Sequence, residues 1–299
     1  MKKKGRVVVT GVTGFLGSYV VPLLLQAGYD VVGIKKKNSN MARLGKIVRH
    51  PRFSLHDYED GVASCFSQPV HAIVHLATNY GRDQASYAEI VVANVVLPLE
   101  LLELGVKQGS HIFINADTFF HVKLHLSPKE TSYITTKKLF LDIAKEIASL
   151  HPIKFANLRI EQMYGPRDNE KKFITTMISE LLSGKPSLQL TEGIQRRDFV
   201  YVEDVARAFV ASVQHADALP SFIEFGIGTG KSVGIRDVVL YLKKITKSTA
   251  KLAWGAIPYR KHEIMDSKAD LKKNALISWR ATTKWKKGLQ TTVDSFVKK

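Results

Sequence analysis

Tyr133 and Lys137 stand four residues apart in a stretch with helical spacing, so both side chains leave one face of a helix about one turn apart. An ammonium beside a phenol favours the phenolate and lowers a pKa that starts at about 10, which brings the tyrosine into range for proton transfer near neutral pH. Such a pair is common on helical surfaces, and it acquires a chemical meaning only with a second group. Glycines 11, 14 and 17 supply it. In Thr10-Gly11-Val12-Thr13-Gly14-Phe15-Leu16-Gly17 the first glycine permits a tight turn, the second lets backbone approach a pyrophosphate, and the third allows close helix packing. The backbone N–H groups that open the following helix then face phosphates. The loop follows a short β-branched run, Arg6 to Val9, and opens an apolar helical stretch, the context a dinucleotide site requires. Gly11, Thr13, Gly14, Phe15, Leu16 and Gly17 are therefore cofactor-binding candidates.

About 20 residues past the middle glycine, a dinucleotide fold presents the side chain that reads the adenosine ribose. Here the chain offers Lys35, Lys36, Lys37, Asn38 and Ser39, with no carboxylate. A carboxylate would bond two ribose hydroxyls and repel a 2′-phosphate, whereas lysines and a serine hydroxyl favour one. The run therefore selects NADPH over NADH, against the alternative of a surface lysine cluster that happens to follow a strand. Asp57, just past the third strand, is a candidate acceptor for the adenine amino group, or only a turn former.

These groups need elements to hold them. β-branched or apolar runs at Arg6–Val9, Asp30–Ile34, Phe53–Leu55, Ala72–Leu76, Ile112–Ile114 and Phe155–Leu158 predict strands. Helix-length segments separate them, with Glu89–Leu104 and Thr135–Ser149 the clearest and Gly28 a helix C-cap. That alternation predicts an α/β fold with a parallel, doubly wound sheet of the Rossmann type. After about residue 160 it loosens into loops, a helix near Thr175–Leu182, a strand at Asp198–Tyr201 and a final lysine-rich portion. The expected division is a dinucleotide-binding domain over 1–165, with the Tyr–Lys pair included, and a smaller α+β substrate-binding lobe over 166–299. Segments near 195–215 return to the first domain.

The 299 residues are 45% hydrophobic and 24% charged, which excludes a disordered chain. No window holds the roughly 18 uninterrupted apolar residues of a spanning helix. The start resembles no signal peptide, and the single cysteine, Cys65, fits a reducing compartment, so a cytoplasmic location is expected. Of the net charge of +17, residues 231–299 carry +12, from 17 Lys or Arg against 5 Asp or Glu. No nucleic-acid-binding motif accompanies that excess, so a solvated basic face is the simpler account, with attraction of phosphate-bearing substrates or of an anionic membrane surface as overlays. The ten histidines lack metal-ligand spacing, and Ser18 is not in a nucleophile elbow, so neither a metal site nor hydrolase chemistry is expected.

Taken together these residues resemble the extended short-chain dehydrogenase/reductase family, the nucleotide-sugar epimerases, dehydratases and reductases. The resemblance rests on the glycine loop, His75-Leu76-Ala77 closing the fourth strand, Asn94 in the next helix, and Tyr133 with Lys137. It continues through Leu158-Arg159, Tyr164-Gly165-Pro166 and the segment Arg197 to Ala206. Within the family, Phe113 to Phe120, Asn157 to Arg167 and Arg260 through Met265 are similar to CDP-abequose and CDP-paratose synthases, which reduce C4 of a CDP-4-dehydro-3,6-dideoxyhexose with NADPH.

The resemblance implies roles. Tyr133 is the general acid that protonates the C4 oxygen, and Lys137 lowers its pKa and holds the nicotinamide ribose hydroxyls. Thr118, at the end of the fifth strand, hydrogen-bonds the substrate oxygen, although the usual serine-rich pattern is replaced here and Asp117 takes a neighbouring slot. Leu76, Ala77, Thr78, Asn94 and Ile160 border the cofactor. Asn79, Tyr80 and Gln162 border the sugar, and Arg197 and Arg260 grip the diphosphate, with Asp198 or Glu263 as alternative structural partners. Arg159 borders the nicotinamide or serves packing. The implied partner is a nucleotide sugar, with a homodimer common in such enzymes. The expected function is an NADPH-dependent 4-ketoreductase in deoxysugar or surface-glycan biosynthesis. The alternatives are a 4-epimerase holding NAD, a dehydratase, and an NADPH-binding protein without turnover.

Overall fold

The computed structural model describes residues 4–81, 84–119, 128–261 and 263–297. Its valine-rich first strand, β1 (Arg6–Thr10), carries Val7, Val8 and Val9 with no exposure, because it lies inside a parallel sheet covered on both faces. The glycine loop leads into α1 (Gly17–Gln26), followed by β2 (Asp30–Lys35), β3 (Phe53–Asp57) and β4 (Ala72–His75). The segment expected as one helix over Glu89–Leu104 is three pieces. α2 (Tyr87–Val91) starts on a capping box between Ser86 and Glu89, a π turn occupies Val92–Val96, and α3 (Leu97–Gln108) follows with Pro98 in its first turn. β5 (Ile112–Thr118) precedes α4 (Pro128–Leu150), which starts at Pro128, earlier than Thr135, so Tyr133 falls inside it.

The rest comprises β6 (Lys154–Ile160), β7 (Gln162–Tyr164), α5 (Phe173–Leu182), β8 (Ser187–Leu190), β9 (Arg196–Arg197), β10 (Phe199–Tyr201) and α6 (Val202–Gln214). After these come β11 (Phe222–Ile227), β12 (Val233–Gly234), α7 (Ile235–Ile245), β13 (Lys251–Trp254) and α8 (Trp285–Val297). Seven strands form one parallel sheet in the order β11-β6-β5-β4-β1-β2-β3, the doubly wound arrangement that the alternation of strands and helices predicts. Of the seven strands of this sheet, β11 is the one absent from the sequence reading: it extends the sheet beyond β6, so the chain returns to it through α6 and β11.

One core lies between the sheet and α1 and α6, built on Val7, Val9, Leu24, Ile114, Val205 and Phe209. A second lies between the sheet and α3 and α4, built on Val8, Ile73, Phe113, Phe140 and Phe155. A third, with Tyr164, Ile178, Val238 and Leu289, binds α5, α7 and α8 to the short strands of the C-terminal portion. Among the described residues no helix is long and apolar enough to cross a membrane. Phe120 and His262, within stretches quoted for the family resemblance, lie outside the described residues, as does most of the link between Thr118 and α4.

Candidate active site

The strand order reverses between β1 and β4, and the carboxyl ends of these strands flank the crevice where open α/β sheets bind ligands. Thr10 sews the two ends together. Its hydroxyl accepts the N–H groups of Leu76 and Ala77, each at 3.1 Å, and meets Nδ1 of His75 at 2.9 Å. Gly11, at φ +67°, passes so close to this junction that a Cβ would sit 2.8 Å from the Ala77 nitrogen. A Cβ at Gly17 would strike the Gly11 carbonyl oxygen, so the first turn of α1 packs directly on the loop. Gly14 bridges them by donating its N–H to the Gly11 carbonyl at 2.9 Å. The result is a cradle of bare backbone at a helix N-terminus, which fits a dinucleotide pyrophosphate. Thr13 is half-buried and Leu16 buried, while the ring of Phe15 turns onto Tyr19 at 5.7 Å.

At the end of β2 the lysines divide. Lys35 pairs with Asp57, its register neighbour on β3, so each of these two candidates is first engaged by the other. Lys36 and Lys37 are exposed, and Ser39 closes the turn by donating its N–H to the Lys36 carbonyl at 2.9 Å.

Asn94 is fully buried in the π turn, and its side chain takes both backbone groups of Asn79. Oδ1 accepts the Asn79 N–H and Nδ2 donates to the Asn79 carbonyl, both at 2.9 Å, with a further bond from Nδ2 to the Thr136 hydroxyl at 3.1 Å. It therefore clamps the loop after β4, which contains Thr78, Asn79 and Tyr80, onto α4. The Asn79 side chain turns inward to accept the Gly81 N–H at 2.9 Å. Tyr80 is 45% exposed, and its ring centroid lies 5.0 Å from that of Tyr133.

Tyr133 is half-buried on α4, and Lys137, one turn on, is 3% exposed. The Lys137 ammonium donates to the Ala116 carbonyl of β5 at 2.9 Å, and burial pushes its pKa down to about 8, with Asp117 acting against that shift. His75 on β4 is held well below its ordinary value, first by burial and then by Lys137, so it is a neutral neighbour. Thr118 closes β5 in register with Ile160 at the end of β6. The tips of β5 and β6 thus bring Thr118 and Ile160 together, while Gln162 follows on β7 and donates its N–H to the Asp198 carbonyl at 3.0 Å. The Ala116 carbonyl that holds Lys137 and the glycine cradle both lie towards the carboxyl ends of the sheet's strands, which suits proton transfer beside a dinucleotide.

Arg197 is 7% exposed and donates to Glu263 at 2.5 Å, the structural alternative left open by its sequence. Burial lowers its pKa, opposed by Glu263, Glu161 and Asp266. Arg260 is exposed and joined to Glu263 through the backbone, the Glu263 N–H donating to the Arg260 carbonyl at 3.1 Å. Sequence reasoning passed over Glu161, a buried carboxyl bonded by the Ser267 hydroxyl at 2.7 Å and pushed up to about 7, mainly by burial. Its hydrogen-bond partner, Ser267, and two of the charges acting on it, Asp198 and Arg197, come from distant parts of the chain, so no local signal marks it. Among the described residues, no group of three His, Cys, Asp or Glu side chains is placed to hold a metal ion.

The profile of the NAD dependent epimerase/dehydratase family matches residues 7–228. The chain is 35% identical to CDP-abequose synthase of Salmonella typhimurium strain LT2, covering 96% of this chain and 97% of the relative. It is 26% identical to UDP-glucuronate 4-epimerase of Thermodesulfobacterium geofontis, over 97% and 95% of the two chains. Its fold superposes on UDP-glucose 4-epimerase of Thermotoga maritima, solved with UDP-glucose, at a TM-score of 0.81 and 25% identity, over 98% and 99% of the chains. A glycine cradle, a tyrosine with a buried lysine one turn away, and likeness along nearly the whole length lead to one assignment: the chain belongs to the NAD dependent epimerase/dehydratase family of extended short-chain dehydrogenase/reductases, NAD(P)-dependent oxidoreductases.

Proposed function

We propose that this protein is an NADPH-dependent 4-ketoreductase of a nucleotide-linked 4-dehydro-6-deoxy- or 3,6-dideoxyhexose, CDP-linked, and that it works in the cytoplasm in deoxysugar or surface-glycan biosynthesis. The observation that carries this reading is the full-length likeness to CDP-abequose synthase in a chain that retains Tyr133 and Lys137. The absence of a carboxylate from Lys35 to Ser39 supports the phosphorylated cofactor.

The cofactor supplies the hydride that reaches C4 of the sugar. Tyr133 gives its hydroxyl proton to the C4 oxygen as negative charge develops there, and Thr118 donates a hydrogen bond to the same oxygen. Lys137 stabilises the phenolate left behind and holds ribose hydroxyls, with the Ala116 carbonyl orienting its ammonium. The backbone of Gly11 to Gly17 binds the pyrophosphate, and Lys36, Lys37 and Ser39 receive the 2′-phosphate. Arg197 and Arg260 are placed on the sugar nucleotide's diphosphate, Arg197 by exchanging Glu263 for phosphate. In this reading residues 1–165 hold the cofactor and 166–299 supply most of the substrate-binding lobe. Tyr87, Val91, Val92 and Val96 on α2 and the π turn, with Leu139 on α4, expose an apolar surface for a homodimer, which a solution mass twice that of the chain by light scattering would support.

The deciding experiment follows loss of NADPH absorbance with CDP-4-dehydro-3,6-dideoxyglucose and its GDP and dTDP counterparts, for the wild type and Tyr133→Phe. Oxidation with the CDP sugar, abolished in the variant while NADPH still binds, is expected; undiminished turnover by the variant would reject the mechanism. The second reading, a 4-epimerase that returns the hydride to the opposite face, draws on the UDP-sugar epimerases among the relatives. NAD that remains with the protein through gel filtration, with no oxidation of NADPH, would favour it.

A further inference from the structure

The sheet carries a row of polar side chains where its strands are otherwise apolar. Thr10, His75, Asn115, Asn157 and Glu224 follow one another in register across β1, β4, β5, β6 and β11. They lie on the α4 side, the side on which Ile73, Phe113, Phe155 and Phe222 pack with Phe140. Asn115 donates from Nδ2 to Asn157 Oδ1 at 2.9 Å, and Asn157 spends its two amide hydrogens on carboxylates, Glu224 at 2.9 Å and Asp117 at 2.8 Å. With an amide donor at its oxygen and acceptors at its nitrogen, Asn157 has one orientation.

Asp117, two residues beyond Asn115 on the same face, is 5% exposed. One carboxylate oxygen accepts from Asn157, and the other accepts the Thr118 N–H at 2.8 Å. A carboxylate buried this far is costly unless a cation faces it. Lys137 supplies positive charge nearby: its ammonium is anchored on the carbonyl of the residue adjoining Asp117, Ala116, at 2.9 Å, and the Asp117 charge acts on it. Among the described residues, His75 on β4 is the other titratable group whose charge state bears on Lys137, and Tyr133 precedes it by one turn on the same helix. Because the Thr10 hydroxyl already accepts from two N–H groups, its proton goes to His75 Nδ1, which leaves that ring neutral and without charge to offer.

We infer that Asp117 is a positioning residue whose carboxylate, mounted on Asn157, keeps the buried Lys137 in its ammonium form and so sets the pH range over which the Tyr133–Lys137 pair can work. Its catalytic consequence rests on the proposed proton-transfer role of that pair; its electrostatic core does not. Burial alone drives Lys137 towards the neutral amine, and Asp117 is the acid that opposes it. An uncharged residue at 117 removes the opposition, and a nearby opposite charge moves a pKa by about one to three units.

The test uses the full chain with lysines labelled at 13Cε, the Lys137 signal being assigned by its loss in Lys137→Arg. In the wild type this signal should titrate with a midpoint of about 8. In Asp117→Asn, and in Asp117→Ser as the smaller variant should the amide misfold, the midpoint should fall by about one to three pH units. The alkaline limb of kcat/KM for nucleotide-sugar reduction should move by the same amount, with activity preserved at the acid end. A folded variant whose Lys137 midpoint does not move overturns the inference, even where its turnover is reduced, since that loss would be structural. A moved midpoint in a protein that reduces no nucleotide sugar upholds it and rejects the proposed function instead.

Discussion

Asp198 belongs to the segment Arg197 to Ala206 that carries part of the family resemblance, yet the structure gives it a mechanical task, and replacing it with asparagine measures that task. The carboxylate is fully buried and accepts four donors: the Thr229 N–H at 2.8 Å, the Gly230 N–H at 2.8 Å, the Ala269 N–H at 3.2 Å and the Thr229 hydroxyl at 2.6 Å. An asparagine keeps the shape but has one acceptor oxygen, and its amide nitrogen would face N–H groups. With the oxygen kept towards Thr229, the Gly230 and Ala269 donors lose their partner. Each buried donor left unmade costs about 1–3 kcal/mol, so Asp198→Asn should destabilise by about 4 kcal/mol. For a chain of this length that corresponds to a melting temperature lower by about 8 °C, taking about 2 °C per kcal/mol. Differential scanning calorimetry, with urea unfolding alongside, reads both quantities. A change below about 1 kcal/mol would refute the reasoning, because it would mean that the four donors find partners as good without the carboxylate.

Glu161 gives a stability prediction with a definite pH sign. Its folded pKa of about 7 lies above the unfolded value of 4.5, so the protonated form is favoured by folding; this contribution is full below about 4.5 and is lost as pH rises through 7. Glu161→Gln, which still accepts from Ser267, should therefore raise stability by up to about 3 kcal/mol at pH 8 and by much less at pH 5. Equal effects at the two pH values in thermal melts would count against a titrating buried carboxyl. Replacing Lys36 and Lys37 together with alanine should weaken NADPH binding about tenfold and leave NADH unaffected, as judged by fluorescence titration. Equal weakening of both cofactors would remove the 2′-phosphate from these side chains.

Much of the site was legible before any fold was known. The glycine spacing, the following helix and the i, i+4 relation of Tyr133 to Lys137 are local properties, decided within a few residues by backbone sterics and helical period. The alternation of β-branched runs with helix-length segments likewise specifies a parallel doubly wound sheet, because parallel neighbours need crossovers. β11 escaped notice because it follows a long stretch of the C-terminal portion, and its sequence, Phe-Ile-Glu-Phe-Gly-Ile, carries a glutamate whose partner, Asn157, lies far back in the chain.

Everything that depends on who meets whom across long chain separations was decided by tertiary structure. Sequence alone determined the glycine loop, the spacing of Tyr133 and Lys137, the family resemblance and the sheet that carries them. The fold decided that Lys35 faces Asp57, that Asn94 holds the loop of Asn79, that Arg197 meets Glu263, and that Asp117 is bonded by Asn157 beside the Ala116 carbonyl that holds Lys137. The physical reason is register. Side chains alternate faces along each strand, so a single-residue slip of one strand on its neighbour would turn Asn157 away from Asp117 and undo the row. No periodicity within one segment encodes that alignment; the packing of two cores against the sheet imposes it.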